Sequence, residues 1–259
     1  MTLITVTSAD GVATIAMNDA ARRNALGRTL TAEMTRALDG LRQRDIRAVI
    51  LRAAAGAKVW SAGYDISELD EVTKDALGTN EGIRALVRGI EEFPAPVIAM
   101  IDSGVYGAAV ELALVCDLIV ATPEVTFTIT PAKLGLMLNV SGVIALLDRL
   151  PPAIVKEMAF AAQPLTAEWA ERWGVVNRVV PKDQIEAETE ALARRMAEFA
   201  PLSLAAMKEE MRLLQERTTL SPRTVERMQA LRRQVFGSDD YREGLSAFKE
   251  RRIPTFRRR

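Results

Sequence analysis

Short, unbroken runs of apolar residues alternate with helical patterns along the first two-thirds of the chain. The runs "AVILRA" (residues 48–53) and "PVIAMI" (96–101) have the length of strands and almost no polar positions, which is typical of strands covered on both faces. Apolar residues at helical spacing occupy residues 81–93 between them and 107–116 after the second run. This order predicts an α/β fold built from successive units of strand, strand and helix.

The two ends of the chain carry different patterns. Near the start, "LITVTS" and "VATIAM" alternate on either side of Asp10-Gly11, a dipeptide that favours a tight hairpin turn. From about residue 185 the pattern is almost entirely helical, with apolar stripes of the kind that pack on the protein's own core or on another subunit. We therefore predict a core over residues 1–190 and a helical region over residues 191–259.

Histidine is absent from all 259 residues. This absence excludes Ser-His-Asp triads, Cys-His dyads and imidazole metal ligands, and we expect no metal site. Any proton transfer must use a carboxylate, Tyr, Lys, Cys or water.

The charge balance argues against nucleic acid or a membrane surface as a partner. Lys and Arg total 34, as do Asp and Glu, so no net field attracts either one. The basic tail Arg257 to Arg259 lacks the aromatic or stripe pattern that would support such a role. A single cysteine, with neither a secretory leader nor an apolar span of about 20 residues, favours the cytoplasm.

The segment "KVWSAGYDISEL" (residues 58–69) contains a turn that could hold a ligand. Gly63 permits a backbone conformation that other residues resist, and the small Ala62 lets a ligand approach the main chain. The N–H groups that enter the helical start at Ile66 could bind an anion. Asp65 could equally be a plain helix N-cap.

The segment "IDSGVYGAAVELAL" (residues 101–114) contains a second turn of the same kind. Two glycines bracket Val105-Tyr106, and Ala108 opens a helix whose N–H donors face outward. Two such turns, each after an apolar run, could aim one N–H each at a single oxygen, which is an oxyanion hole. Glu111 follows in an otherwise apolar helix, either as a dipole-stabilising carboxylate or as a desolvated acid or base with a raised pKa.

Together these segments resemble the crotonase superfamily, also called the enoyl-CoA hydratase/isomerase family. Further matches are "RRNAL" (22–26), "PLTAEWAERWGVVNRVVP" (164–181) and "DYREGLSAFKERRIPTF" near the end, so the resemblance covers essentially the whole chain. It implies a crotonase-like spiral of ββα units with a C-terminal helical trimerisation region, in a homotrimer or a dimer of trimers. It also implies an acyl-CoA ligand whose thioester oxygen is held by the N–H groups of Tyr64 and Ala108.

The resemblance favours one branch of the family. Hydratases carry two glutamates across the site, because one group handles the water and another the α-proton. Glu111 matches the first glutamate, but Pro131 takes the place of the second, which argues against a standard hydratase. "SAGYDISEL" and "TPAKLGLMLNVSG" look most like members that decarboxylate methylmalonyl-CoA or a related alkylmalonyl-CoA, which makes the expected activity that of a lyase.

Two departures from that branch keep other functions open. Its pattern has a His where this chain has Tyr64, and a Tyr where this chain has Leu138. The change is compatible with a bulkier alkylmalonyl group or with little activity. The alternatives are an enoyl-CoA isomerase or hydratase-type enzyme that uses Glu111, and a non-catalytic acyl-CoA-binding member of the family.

The resemblance also implies the contacts of the substrate, of which coenzyme A is a part, and no separate cofactor is expected. The turn residues Ala62, Gly63, Asp65 and Ile66 would run along the pantetheine and adenine. Thr130 would lie near the acyl end, and Leu138 would belong to an apolar wall around the departing carboxylate. The candidates for binding the phosphates are Arg22, Arg23 and Arg251, and a neighbouring subunit could supply the last of them.

Overall fold

The computed structural model describes residues 2–68, 81–215 and 222–256. Leu69, which ends the first turn segment, and the basic tail Arg257 to Arg259 lie outside these ranges. The described strands are β1 (Ile4–Ala9), β2 (Val12–Met17), β3 (Ala48–Ala53), β4 (Val59–Ser61), β5 (Val97–Ile101), β6 (Gly104–Tyr106), β7 (Leu118–Ala121), β8 (Thr126–Thr128), β9 (Leu165–Thr166) and β10 (Arg178–Val179).

Helices connect these strands and make up most of the C-terminal part. They are α1 (Arg28–Arg42), α2 (Glu81–Glu91), α3 (Ala108–Leu114), α4 (Val140–Arg149), α5 (Pro152–Phe160), α6 (Ala167–Arg172), α7 (Ile185–Ala197), α8 (Pro201–Gln215), α9 (Pro222–Phe236) and α10 (Asp239–Lys249). Short 3₁₀ turns cover Ala20–Arg22, Ile66–Glu68 and Pro131–Leu134. The predicted α/β class is confirmed. No helix within the described ranges is long and apolar enough to cross a membrane.

A six-stranded sheet in the order β1-β2-β3-β5-β7-β10 forms the centre of the molecule. The predicted hairpin is confirmed, since β1 pairs antiparallel with β2 around Asp10 and Gly11, both at positive φ. The other strands of this sheet run parallel. Successive side chains of β3 lie in different cores: Val49 and Leu51 pack in the main core, and Ala48 and Ile50 pack under α7. This explains why "AVILRA" has almost no polar positions.

A smaller sheet in the order β4-β6-β8-β9 positions the two turns. Strands β4 and β6 are neighbours and run parallel, so their carboxyl ends lie at the same edge. The first turn follows β4 directly, and the second follows β6. Each of these strands has only three residues, and in the sequence they are not distinct from the turns that follow them. Their pairing brings two segments about 45 residues apart in sequence next to each other.

The C-terminal helices are attached to the core in two ways. Lys208 of α8 donates to Asp117 Oδ2 at 2.6 Å and to the carbonyl oxygens of Ile90 and Ala95. Helix α10 packs so closely on the turn Pro131–Leu134 that a Cβ on Gly244 would lie 2.0 Å from the carbonyl oxygen of Leu134. The second contact holds the turn Pro131–Leu134 in place.

The helical C-terminal region bears on two parts of the predicted organisation. The boundary at residues 190 and 191 stays a prediction, and helix α7, which packs on the large sheet, extends across it.

The apolar stripe Met207, Met211 and Leu214 on α8 is 46%, 62% and 50% exposed. This stripe therefore does not pack on the chain's own core.

Candidate active site

The two turns touch at their glycines. Gly63 has φ +85°, and a Cβ built on it would lie 2.4 Å from the carbonyl oxygen of Tyr106 and 3.1 Å from the nitrogen of Ala108. Gly107 has φ +55°, and its own Cβ position is 3.9 Å from the Cα of Gly63. Only glycine at position 63 allows this approach at this backbone angle. The two turns thus lie side by side, with the backbone of Gly63 against the backbone of residues 106–108.

The backbone of residues 22–26, the "RRNAL" segment, holds the first turn in place. The N–H of Ala62 donates to the carbonyl of Arg23 at 2.9 Å, and the N–H of Leu26 donates to the carbonyl of Gly63 at 2.7 Å. These bonds use main-chain groups that a tight turn would otherwise leave unpaired. The segment therefore has a scaffolding role that sequence reasoning did not assign to it.

The side chain of Asp65 is engaged within the protein. Its Oδ1 accepts the backbone N–H of Ser67 at 3.0 Å and the hydroxyl of Ser67 at 2.6 Å. Arg22 Nη1 lies 3.6 Å from Oδ2. This is the geometry of an N-cap on the turn Ile66–Glu68, one of the two interpretations that the sequence left open for this carboxylate.

The second turn ends at the first residue of α3. The N–H of Gly107 donates to the carbonyl of Thr128 at 2.8 Å and ties the turn to β8. The N–H of Ala108 has no intrahelical acceptor, because it lies in the first turn of its helix, and no other acceptor within the described ranges pairs with it. Both Gly107 and Ala108 line a cavity that opens beside the two turns.

Glu111 presents a buried carboxylate to the same cavity. The residue is only 4% exposed, and Oε2 accepts Nδ2 of Asn139 at 3.0 Å. Oε1 has no hydrogen-bond partner among the described residues. Burial raises the pKa of Glu111 above its usual range, and the side chains of Ser141 and Asn139 offset part of the increase by favouring the ionised form. A carboxyl group in this setting keeps its proton to higher pH than an exposed glutamate does, and it is a stronger base once ionised.

The remaining walls of the cavity are mostly apolar. Leu136, Met137 and Leu138 form one side, and Phe236 at the end of α9 contributes another. Pro131 also lines the cavity, so a prolyl ring occupies the position that the resemblance gives to a second glutamate. Among the described lining residues, Glu111 is the only carboxylate.

The predicted site residues divide into two groups. The residues that line the cavity are Ala62, Tyr64, Ile66, Ala108, Glu111, Thr130 and Leu138. The residues that do not line it are Gly63, Asp65, Arg22, Arg23 and Arg251. The first two of these shape the turn itself, and the three arginines lie at exposed positions outside the cavity.

Sequence reasoning missed Asn139 and Phe236. Asn139 caps α4 by accepting the N–H of Gly142 at 2.8 Å. An Asn directly before an apolar helical run is a recognisable N-cap signal, although that signal does not indicate the second contact with Glu111. Phe236 has no local signal, because the fold brings it to the cavity from 90 residues beyond Leu146, the preceding lining residue in the sequence.

Comparison with known proteins finds relatives along nearly the whole chain. The family model described as enoyl-CoA hydratase/isomerase matches residues 7–259. The chain is 40% identical over 253 residues to a methylmalonyl-CoA decarboxylase of Escherichia coli (strain K12), covering 98% of this chain and 97% of that protein. It is 33% identical over 243 residues to a carnitinyl-CoA dehydratase of Salmonella typhi, covering 93% of each.

Solved structures give the same picture at the level of the fold. A methylmalonyl-CoA decarboxylase in complex with 2-nitronate-propionyl-CoA superposes with a TM-score of 0.95 at 39% identity, covering 98% of each chain. An enoyl-CoA hydratase from Mycobacterium avium subsp. paratuberculosis K-10 has a TM-score of 0.78 at 25% identity, again covering 98% of each chain.

Proposed function

Because the chain belongs to the enoyl-CoA hydratase/isomerase family, the crotonase superfamily, we propose that it decarboxylates methylmalonyl-CoA or a related alkylmalonyl-CoA. The observation that carries this proposal is the contact between the two turns at Gly63 and Ala108, beside a cavity with one buried carboxylate. The similarity to a methylmalonyl-CoA decarboxylase along 98% of the chain supports it.

The backbone donors would stabilise the charge that forms when carbon dioxide leaves. The bond between the α-carbon and the carboxylate breaks, and its electron pair moves into the thioester as an enolate. The N–H groups of Tyr64 and Ala108 would donate to the enolate oxygen, which favours the transition state over the bound substrate. The apolar side chains of Leu136, Met137 and Leu138 solvate the carboxylate poorly and so favour its loss.

A single carboxylate suits the second half of the reaction. After carbon dioxide has left, only one proton has to reach the α-carbon. Glu111 is buried next to the turns, and its Oε1 has no hydrogen-bond partner within the described ranges. Hydration would need a second group to handle the water. Pro131 lines the cavity at the corresponding place and has no proton to transfer.

The same proposal extends to CoA binding, assembly and location. CoA enters as part of the substrate, its phosphates meeting Arg22, Arg23 or Arg251, and the chemistry described needs no other cofactor. The exposed apolar stripe on α8 supports self-association, since such a stripe is typical of a subunit contact. The resemblance to the family makes that assembly a homotrimer or a dimer of trimers. The cytoplasm remains the predicted location.

Turnover of malonyl-type thioesters tests the proposed function. The protein is incubated with methylmalonyl-CoA, and with ethylmalonyl-CoA because Leu138 leaves the wall apolar, and the products are identified by mass spectrometry. We expect propionyl-CoA or butyryl-CoA, each lighter than its substrate by the mass of carbon dioxide. If neither thioester loses carbon dioxide at any enzyme concentration, the decarboxylase proposal is wrong.

One observation favours a second function. A lone buried carboxylate can also move one proton between two carbons of an acyl chain, as an enoyl-CoA isomerase requires. Conversion of a 3-enoyl-CoA to the 2-enoyl form, without decarboxylation of any malonyl thioester, would support that function. Binding of CoA esters with no turnover in either assay would indicate a non-catalytic member of the family.

Replacing Tyr64 by Phe separates the side chain from the backbone donor. Burial, and after it the nearby Glu68, raises the pKa of Tyr64 to about 12, so the phenol is neutral at physiological pH. Since the proposed donor is the N–H, Tyr64→Phe should change kcat/KM by less than about tenfold, the cost of one neutral hydrogen bond at most. A larger loss in steady-state kinetics would assign the hydroxyl a direct role.

A further inference from the structure

Asn139 connects the end of a helix to the buried carboxylate. Its Oδ1 accepts the N–H of Gly142 at 2.8 Å and caps α4, and its Nδ2 donates to Oε2 of Glu111 at 3.0 Å. A backbone N–H can only donate, so the amide oxygen must face Gly142 and the amide NH₂ must face Glu111. The orientation of this amide is therefore determined by the helix.

The contact with Asn139 favours one oxygen of Glu111 as the carrier of a proton. Oε2 already accepts an N–H, which stabilises negative charge on Oε2 and so favours protonation of the other oxygen. Oε1 is buried and has no hydrogen-bond partner in the part of the chain that the structure describes. The hydroxyl of Ser141, which also favours the ionised carboxyl, is near Glu111 but does not meet hydrogen-bond geometry with Oε1. When Glu111 is neutral its proton therefore belongs on Oε1, and when it is ionised Oε1 is the oxygen available to receive one.

The packing around the pair leaves little room for another arrangement. A Cβ on Gly142 would lie 2.5 Å from Oδ1 of Asn139 and 3.2 Å from Oε2 of Glu111. Glycine at this position thus lets the start of α4 approach the carboxylate. All three residues line the cavity in which the acyl group would react.

We propose that Asn139 is a positioning residue, which holds Glu111 so that Oε1 exchanges the proton with the α-carbon of the acyl group. This inference rests on the proposed function and specifies its second half. Carbon dioxide leaves without the bonding electrons, and the enolate collapses as the proton on Oε1 forms the new C–H bond. Glu111 is left ionised and regains a proton from water before the next turnover.

The variant Asn139→Asp keeps the helix cap and reverses the contact with Glu111. Aspartate caps helices as well as asparagine does, but its second oxygen would accept a proton from Oε2 and so draw the proton away from Oε1. We expect kcat for decarboxylation to fall about 10- to 100-fold with KM unchanged. The exchange of the α-hydrogens of propionyl-CoA with D₂O, followed by mass spectrometry, should fall by the same factor.

Two further variants separate positioning from stability. Asn139→Ser also provides a capping oxygen but is too short to reach Glu111, so both rates should fall as in Asn139→Asp. Thr166→Ala removes the side-chain cap of α6, which bonds to Trp169, and should leave both rates at the wild-type level. Wild-type rates in Asn139→Asp or in Asn139→Ser would overturn the positioning role.

The exchange assay also keeps this inference apart from the proposed function. If the wild-type protein exchanges the α-hydrogens but decarboxylates no malonyl thioester, the proposed function fails. The exchange rate of Asn139→Asp still decides the role of Asn139 in that case, because exchange needs only the thioester, Glu111 and the enolate. A wild-type exchange rate in that variant would then overturn the inference on its own.

Discussion

Glu111→Gln should lower kcat for decarboxylation by about 10²- to 10⁴-fold, the usual contribution of a positioned acid or base. Glutamine has nearly the same shape and can still accept from Asn139, but it cannot deliver a proton to the α-carbon. Steady-state kinetics with methylmalonyl-CoA measures the effect. Asp19→Asn is the matched control, since it also neutralises a buried carboxylate, lies outside the cavity and should retain wild-type turnover.

The loss of activity in Glu111→Gln should not come from unfolding. Burial raises the pKa of Glu111 in the folded protein above its ordinary value of 4.5, so keeping this group ionised opposes folding at higher pH. Its favourable contribution is complete below pH 4.5 and is lost as the pH rises through the folded pKa. Glu111→Gln should therefore have a Tm equal to or above the wild type at pH 7, with the difference shrinking toward pH 4.5. An inactive variant with a much lower Tm at pH 7 would contradict this explanation.

Gly63→Ala should lower kcat about 10²- to 10³-fold, the range found when one oxyanion donor is removed. The added methyl group would meet the carbonyl oxygen of Tyr106 at 2.4 Å, a contact that forces the two turns apart. The positive φ of +85° adds backbone strain of about 1–3 kcal/mol. We therefore expect a lower Tm as well as the kinetic defect.

Gly174→Ala is the control that separates the two effects of Gly63→Ala, the backbone strain at positive φ and the displacement of the turns. Gly174 has φ +74° with nothing within 4 Å of the added Cβ, so this variant carries the same kind of strain without the clash. It should lose stability to a similar degree and retain wild-type kcat. Equal kinetic defects in the two variants would show that turnover depends on stability rather than on the contact of the turns.

The elements of the large sheet could be predicted because short stretches of the sequence, such as apolar runs and turn dipeptides, indicate how these strands pack. The apolar run of β3 faces two cores, and the turn dipeptide Asp10-Gly11 determines the hairpin of β1 and β2. The small sheet could not be predicted in the same way. Strands of three residues are too short for an alternating pattern, and β4 and β6 are defined by their pairing with each other.

The sequence predicts those site residues that stand out within their own segments. Glu111 stands out as a carboxylate in an apolar helix, and Gly63 and Gly107 mark turns with unusual backbone angles. The partners of these residues come from other parts of the fold. Neither the contact of Asn139 with Glu111 nor the place of Phe236 in the wall has a signal in its own segment, because tertiary packing creates both.

The position of a bound thioester oxygen tests the oxyanion hole most directly. A crystal structure of the protein with 2-nitronate-propionyl-CoA, the compound bound in a similar methylmalonyl-CoA decarboxylase, would locate that oxygen. We expect it within about 2.7–3.1 Å of both the nitrogen of Tyr64 and the nitrogen of Ala108. A thioester oxygen beyond hydrogen-bonding distance of both nitrogens, with the acyl group in the cavity, would contradict the assignment of these two turns.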